Sequence, residues 1–369
     1  KYSKYYKKKY LNNKKFESVW FTKLLLSIII VLVCLIATNF NGDLREIFKS
    51  EVLEENMNFG DLNSFYNKMM LGKEETKDVA QVIIDDTDMI EENGVKVKKD
   101  VSYVGVENLK KAGVDVLVVL GGDGTLTSAR DFSRKGVKVI GVPKTMDNDT
   151  PLTQYSVGFD SACDVCMDAV DSLNNTARSH HRALILEVMG RYAGHLAMHS
   201  AIAGFADVCL VPEIPYTIEG IVAKLKEIKA SGRTHAVIVV SEGIKTETGE
   251  LLTSAKNMVG EGVLGGIGDY LNEKIKSVYK EFQTRVTRLG HIQRAGAPTF
   301  FDRILASMLA TKAVELLDEG QTGLMVGLSN GKVEAYPLED VVSCGSTILD
   351  LNGDYIRTAK SLGMYIGEI

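Results

Sequence analysis

The chain has 369 residues, of which 45% are hydrophobic and 25% charged, with a formal net charge of −5. That is enough apolar material for a large core and room for two domains or one large α/β domain, and it excludes the strongly basic surface expected of a nucleic-acid binder. Of the five cysteines, only Cys163 and Cys166 lie close together, with no second pair and no histidine at ligand spacing. They read as ordinary buried thiols in a reducing compartment, not as a zinc site.

In chain order, Lys1–Lys15 is crowded with Lys, Tyr and Asn, and LLLSIIIVLVCLIA follows from Leu24 to Ala37. A run of about 14 apolar residues is short for a membrane span and suits a signal region, so residues 16–40 read as a signal anchor or signal peptide and residues 1–42 as a targeting segment. Membrane contact through 24–37 is one consequence; a buried hydrophobic element is the alternative. Residues 43–100, rich in Asn, Asp, Glu and Met without a clear period, read as a linker or atypical region.

The pattern changes near Val101. VENLKKAGVDVLVVLGGDGT reads as an amphipathic helix (Val106–Ala112), a turn at Gly113, a buried strand (Val114–Leu120) and a glycine loop, with the next helix starting near Thr127. VKVIGVPKT (Val137–Thr145), RALILEVMG (Arg182–Gly190), DVCLVP (Asp207–Pro212) and HAVIVVSEG (His235–Gly243) are further short apolar strands separated by helical patterns. This alternation predicts an α/β fold of doubly wound, mostly parallel sheets with helices on both faces. Ligands of such sheets lie beyond the carboxyl ends of the strands, so the polar residues closing each strand should converge. Those residues are Asp123, KTMDND (Lys144–Asp149), MGR (Met189–Arg191), Glu213 and SEG (Ser241–Gly243), with TRVTRLGHIQRAGAPTFFDR (Thr284–Arg303) added from the C-terminal part. Carboxylates beside Arg and His describe a site for Mg²⁺ and phosphorylated compounds, because carboxylates take the metal and guanidinium forks take phosphate.

The ordered set GGDGT, PKTMDND, MGRYAG, PE, SEG and LGHIQRAGAPTFFDR closely resembles the 6-phosphofructokinases, from about Val101 to the C-terminus. The resemblance implies phosphoryl transfer from ATP to the 1-hydroxyl of fructose 6-phosphate in glycolysis. It divides residues 101–369 into a nucleotide-binding part at about 101–160 and a sugar-phosphate part at about 161–330. It implies Asp147 as general base, Asp149 and Thr145 orienting the sugar and the metal, Asp123 on Mg²⁺, and Gly122, Gly124 and Thr125 lining the phosphates with Lys144 nearby. Arg191 would stabilise the charge in flight, with Met189 and Gly190 beside it. Glu242 would accept sugar hydroxyls, and Arg182, Arg285, His291 and Arg294 would grip the 6-phosphate and sugar. Two of these arginines come from a neighbouring subunit in the family and correspond to Arg182 and Arg285, so a homo-oligomer (dimer or tetramer) with shared active sites and a cytoplasmic catalytic region is implied.

Lipid and NAD kinases also use a GGDGT loop but lack the PKTMDND and LGHIQRAG blocks. The family's opening strand with its GGDxPGxN turn, and its first two strand–helix units, have no match in Lys1–Asp100. The N-terminal units are therefore expected to be missing or replaced, and a fragment or an inactive misjoined protein stays an alternative. Gly124 favours ATP, whereas Lys144 is the residue of pyrophosphate-dependent relatives, so a pyrophosphate-dependent phosphotransferase is the second alternative. At effector positions of the bacterial type the chain reads Asn174 and Phe205, which implies weak activation by ADP and weak inhibition by phosphoenolpyruvate.

Overall fold

This computed structural model describes residues 89–92, 95–98, 102–256 and 262–368. Contacts separate the chain into Lys1–Asp85 and Asp86–Ile369, and everything below concerns the second unit. The segment read as an anchor at 16–40 and the boundary at residue 42 lie outside the described residues. Among the described residues no helix is long and apolar enough to cross a membrane.

The described chain opens with an antiparallel hairpin, β1 (Met89–Glu92) and β2 (Val95–Lys98), in the stretch that shows no period in the sequence. Helix α1 (Ser102–Lys111) follows, then β3 (Leu117–Gly121), α2 (Asp123–Arg134) and β4 (Val139–Pro143). After a long loop come α3 (Phe159–His180), β5 (Arg182–Val188), α4 (His195–Ala203), β6 (Val208–Leu210), α5 (Ile218–Ala230) and β7 (Ala236–Ser241). A second small antiparallel pair, β8 (Thr253–Lys256) and β9 (Gly262–Leu264), precedes α6 (Ile267–Val278), β10 (Gln283–Arg288) and a 3₁₀ turn (Gly290–Arg294). The chain closes with α7 (Phe300–Asp318), β11 (Leu324–Ser329), β12 (Lys332–Pro337), α8 (Leu338–Cys344) and α9 (Asp354–Ser361).

Two four-stranded sheets carry the fold. One, ordered β10-β5-β7-β6, is parallel throughout. Its central strands are apolar except at Arg182, Glu187 and Ser241, because alternate side chains enter separate cores on the two faces. Leu186, Val188, Val237 and Val239 pack with α3 and α4. Ala183, Ile185, Ile238 and Val240 pack with α5 and α6.

The other sheet, β12-β11-β4-β3, is parallel except for the β11–β12 hairpin. That hairpin turns at Asn330 and Gly331, whose φ values of 48° and 75° are those of a two-residue turn matching strand twist. One face of the sheet packs Ile140, Val142, Val326 and Leu328 against α7, and the other packs Val139 and Met325 against α2 and α8.

Three sequence expectations change. The strand read as buried at Val114–Leu120 is β3, an edge strand among the described residues, and Val118 and Leu120 are 42% and 63% exposed. Among the described residues β3 has a neighbour only in β4, and the apolar cluster beneath α7 takes in β4 and β11 but no residue of β3. Helix α2 begins at Asp123 and not near Thr127, because Gly122 already takes the extended N-cap conformation (φ −90°, ψ −161°) and Asp123 suits the positive end of the helix. Cys166 and Cys209 are buried and Cys163 half-buried in apolar surroundings, as read, but Cys344 is exposed at the end of α8. Burial pushes the Cys166 thiol up to about 12, so it stays protonated.

Buried Asp302 ties α7 to the start of α3, accepting from the amides of Gly158 (2.9 Å) and Ser161 (2.8 Å) and from the Ser161 hydroxyl. Asp302→Ala strands these donors, so stability should fall by about 3 kcal/mol, while Asp302→Asn, which keeps an acceptor oxygen, should lose less. Denaturant unfolding measures both; an unchanged midpoint for the alanine variant would contradict the role.

Candidate active site

The strand ends of both sheets carry the predicted residues, and close backbone approaches decide how they meet. β3 ends on Gly121 and the chain enters α2 through Gly122 alone. The first intrahelical bond is from the Leu126 amide to the Gly122 carbonyl, 2.9 Å, so the amides of Asp123, Gly124 and Thr125 have no helical acceptor and are available to an anion. A side chain at Gly124 would meet nothing within 4 Å: the position faces open space. Gly122 lies against Thr145, where an added Cβ would stand 3.2 Å from the threonine Cβ, and the Lys144 amide donates to the Gly121 carbonyl at 2.9 Å. The glycine turn and the loop after β4 are therefore one surface.

That loop is shaped by Asn148, held at φ 54°. Its side-chain oxygen accepts from the Ser156 amide (2.8 Å) and hydroxyl (3.2 Å), and its side-chain nitrogen donates to the Gln154 carbonyl at 3.1 Å. With Asn148 turned inward to its own loop, the carboxylates on either side, Asp147 and Asp149, are left for the cleft. The Asp147 amide donates to the Thr145 hydroxyl oxygen (3.2 Å), and that hydroxyl donates weakly to the Asp147 carboxylate (3.4 Å). Lys144 is exposed beside them.

From the second sheet, the turn after β5 brings in Arg191. Gly190 sits at φ 133° and Arg191 itself at φ 48°, a left-handed conformation that a non-glycine residue adopts only under strong surrounding constraint. The constraint is Gly243: a Cβ there would stand 1.5 Å from the Arg191 carbonyl oxygen, so only glycine lets the two strand ends approach. Glu242, next to it, donates its amide to the Val188 carbonyl at 2.8 Å.

Charge confirms the convergence. Burial pushes the Asp147 carboxyl up, against the pull of the Arg191 and Arg294 guanidiniums and the Thr145 hydroxyl. Burial also lifts Asp149, and the negative charges of Asp147 and Asp123 add to it. Burial raises Glu242 to about 7, with Asp147 and Glu187 adding while Arg294 and a backbone bond from Arg191 oppose. Asp147 thus lies within charge range of Arg191 and Arg294, Asp149 of Asp123, Asp147 and Arg191, and Glu242 of Asp147 and Arg294.

Arg182 and Arg285 do not join them. Arg182 opens β5 at the end away from Arg191, six residue steps or about 20 Å along the strand, and Arg285 pairs with Leu184 in the neighbouring strand, near that same far end. His291 and Arg294 share the exposed 3₁₀ turn. Buried Gln293 fixes this turn: its carbonyl oxygen accepts from the Met189 amide at 3.0 Å and its nitrogen donates to the Gly290 carbonyl at 2.9 Å. Sequence reasoning quoted Gln293 without giving it a role. It also missed buried Glu187, which accepts from the amides of Gly266 (3.0 Å) and Gly268 (2.7 Å) and lifts Glu242. A carboxylate inside the apolar run LILEV was the available signal.

Free helix-terminal amides beside buried carboxylates and guanidiniums, at the carboxyl ends of parallel strands, define an α/β protein that handles phosphate esters. The phosphofructokinase family model matches residues 56–317, and the chain belongs to that family. The match opens at Asn56, earlier than the motifs alone indicate. The chain is 50% identical over 282 residues to ATP-dependent 6-phosphofructokinase 2 of Clostridium perfringens, covering 75% of this chain and 76% of that one. It is 40% identical over 264 residues to ATP-dependent 6-phosphofructokinase 1 of Synechocystis sp., covering 71% and 72%. A solved pyrophosphate-dependent phosphofructokinase from Marinobacter aquaeolei superposes with a TM-score of 0.58 at 22% identity over 71% of this chain and 67% of that one, a likeness of fold alone.

The Glu242 carboxyl reports on its neighbours. Asp147→Asn removes a negative charge and should bring its titration below about 7, whereas Arg294→Met removes a positive one and should move it up. Infrared titration of the carboxyl bands measures this; shifts of the opposite sign would mean that the groups are not near one another.

Proposed function

We propose that this chain transfers the γ-phosphoryl group of ATP to the 1-hydroxyl of fructose 6-phosphate, giving fructose 1,6-bisphosphate. The observation that carries the reading is the open space at Gly124 on the first turn of α2, beside the loop of Asp147. A triphosphate laid on the free amides there would lie beside that loop, which meets the glycine turn at Lys144 and Thr145. Asp147 takes the proton from the 1-hydroxyl as its oxygen bonds to the γ-phosphorus and the bond to the β-phosphate oxygen breaks. Burial that raises its pKa makes it a better base than a free carboxylate, while the Arg191 and Arg294 guanidiniums pull the other way and favour its charged form. Such transfer depends mainly on alignment and charge neutralisation, which places Arg191 on the moving phosphoryl group. Asp149 and Thr145 orient the sugar, and Glu242 accepts its hydroxyls when ionised.

Mg²⁺ is the metal that hard carboxylate oxygens suit. Among the described residues no three metal-ligating side chains converge closely enough to cage an ion, which fits a cation that takes one or two carboxylates and completes its shell from phosphates and water. Asp123 would hold it, and when bound it would neutralise charge on the β- and γ-phosphates.

The far position of Arg182 and Arg285 supports a homo-oligomer in which these arginines serve the 6-phosphate of a neighbouring copy. Both substrates belong to the cytoplasm, where we place the catalytic region. Phe205 is exposed at φ 53°, and with Phe205 and Asn174 at the positions where the bacterial type carries its effector-binding residues, ADP should shift the fructose 6-phosphate saturation curve little. A clear shift at millimolar ADP would contradict this.

Lys144 is the one residue favouring pyrophosphate. An aspartate at position 124 would fill the space of the α-phosphate and repel it by about 4 kcal/mol at 4 Å and an effective dielectric near 20. Wild type should therefore use ATP, and Gly124→Asp should lose ATP turnover while keeping or gaining turnover with pyrophosphate. kcat/KM for both donors decides it; a wild type that prefers pyrophosphate, or an ATP activity that survives the substitution, would overturn the reading.

A further inference from the structure

The reaction as derived leaves Glu213, at the end of β6, without a part. One of its carboxylate oxygens accepts two amides, that of Gly194 at 2.8 Å and that of Leu349 at 3.0 Å. Each amide belongs to a segment that ends on a reacting-site residue. Gly194 closes the turn Met189–Gly194 that carries Arg191, and it is pressed against its neighbours: an added Cβ would lie 2.4 Å from the Val211 Cβ and 2.7 Å from the second Glu213 oxygen. Leu349 is buried, and two residues before it the Thr347 amide donates to the Asp149 carbonyl at 2.7 Å. The ring of His195, the first residue of α4, faces the Thr347 carbonyl and the Glu213 carboxylate. The glycine turn of the nucleotide side is held at the start of the Asp149 loop, where β4 ends, by the Lys144 amide on the Gly121 carbonyl and by Gly122 against Thr145, and not through Glu213.

We propose that Glu213 is a positioning residue for phosphoryl transfer, whose single oxygen Oε1 locks the Arg191 turn and the Thr347–Leu349 segment behind Asp149 into one frame. The proposal rests on the reaction proposed above. Loss of the acceptor lets the two loops move independently, which misaligns the group that stabilises the moving phosphoryl from the group that orients the sugar. Misalignment of that kind lowers kcat. It leaves nucleotide affinity alone, because the ATP amides are anchored at the β4 end of that loop, by Lys144 and Thr145, which make no hydrogen bond to Glu213 or to Thr347–Leu349.

The test compares wild type with Glu213→Ala, Glu213→Gln and Glu213→Asp by steady-state kinetics with fructose 6-phosphate and ATP, and by amide hydrogen exchange over residues 145–150 and 345–350. Glu213→Ala should lose at least about tenfold in kcat with the KM for ATP within about twofold, and exchange in both peptides should quicken. Glu213→Gln keeps an oxygen acceptor of the same reach and should restore both readouts. Glu213→Asp keeps the charge and shortens the reach, so it should fall between, and it decides the matter if the alanine variant does not fold. Wild-type kcat and exchange in the alanine variant, a KM for ATP that rises in step with the fall in kcat, or a glutamine variant as impaired as alanine would overturn the proposal. If wild type itself has no turnover, the reaction is wrong, and the exchange data alone still judge the frame.

Discussion

Too many carboxylates share one buried place. Asp147, Asp149 and Glu242 all sit where burial disfavours their charge, and they repel one another. Two guanidiniums offset this, and the backbone is bent to bring one of them in: Arg191 takes a left-handed conformation because the Gly243 backbone lies against its carbonyl. The glycines at 190 and 243 and the ends of β5 and β7 follow from that requirement. A site that stores unfavourable charge in its resting state is one in which a cation, a phosphoryl group and a sugar hydroxyl find partners waiting.

The sheets explain why this place exists. Parallel strands end together, so each βα unit delivers its closing polar residues to the same rim. In the sheet built on β5 and β7 both faces are sealed by helices, and the polar residues have nowhere else to go. The same geometry separates Arg182 and Arg285 from the rim. A parallel strand has one functional end, and residues at its start serve a different surface. Arginines at both ends of one sheet are the arrangement on which the proposed sharing of sites between copies rests.

Much of this was legible in the sequence, for local reasons. The strands from Val137 to Gly243 were marked by short apolar runs closed by Gly, Pro or polar residues, and the carboxylates Asp123, Asp147 and Asp149 stood at their ends. The start of α2 was placed too late because GGDGT reads as a loop, whereas Gly122 caps the helix at once and turns half the motif into its first turn. The edge position of β3 among the described residues was illegible, since VDVLVVL has the composition of a buried strand and its only described neighbour is β4. Residues that act across the chain stayed hidden as well: Asp302 meets Gly158 over a separation of 144 residues and Gln293 meets Met189 over 104. No period or spacing encodes such pairs; they exist only once the sheets have formed.

The central claim is that Asp147, buried among like charges beside the Arg191 and Arg294 guanidiniums, removes the proton from the attacking hydroxyl. Its most direct measurement is the rate of fructose 1,6-bisphosphate formation under saturating ATP, Mg²⁺ and fructose 6-phosphate for wild type and Asp147→Ser. The account predicts a kcat lower by at least about two orders of magnitude with a nearly unchanged KM for the sugar phosphate, as expected for loss of a general base. A folded Asp147→Ser protein that turns over at the wild-type rate would contradict it.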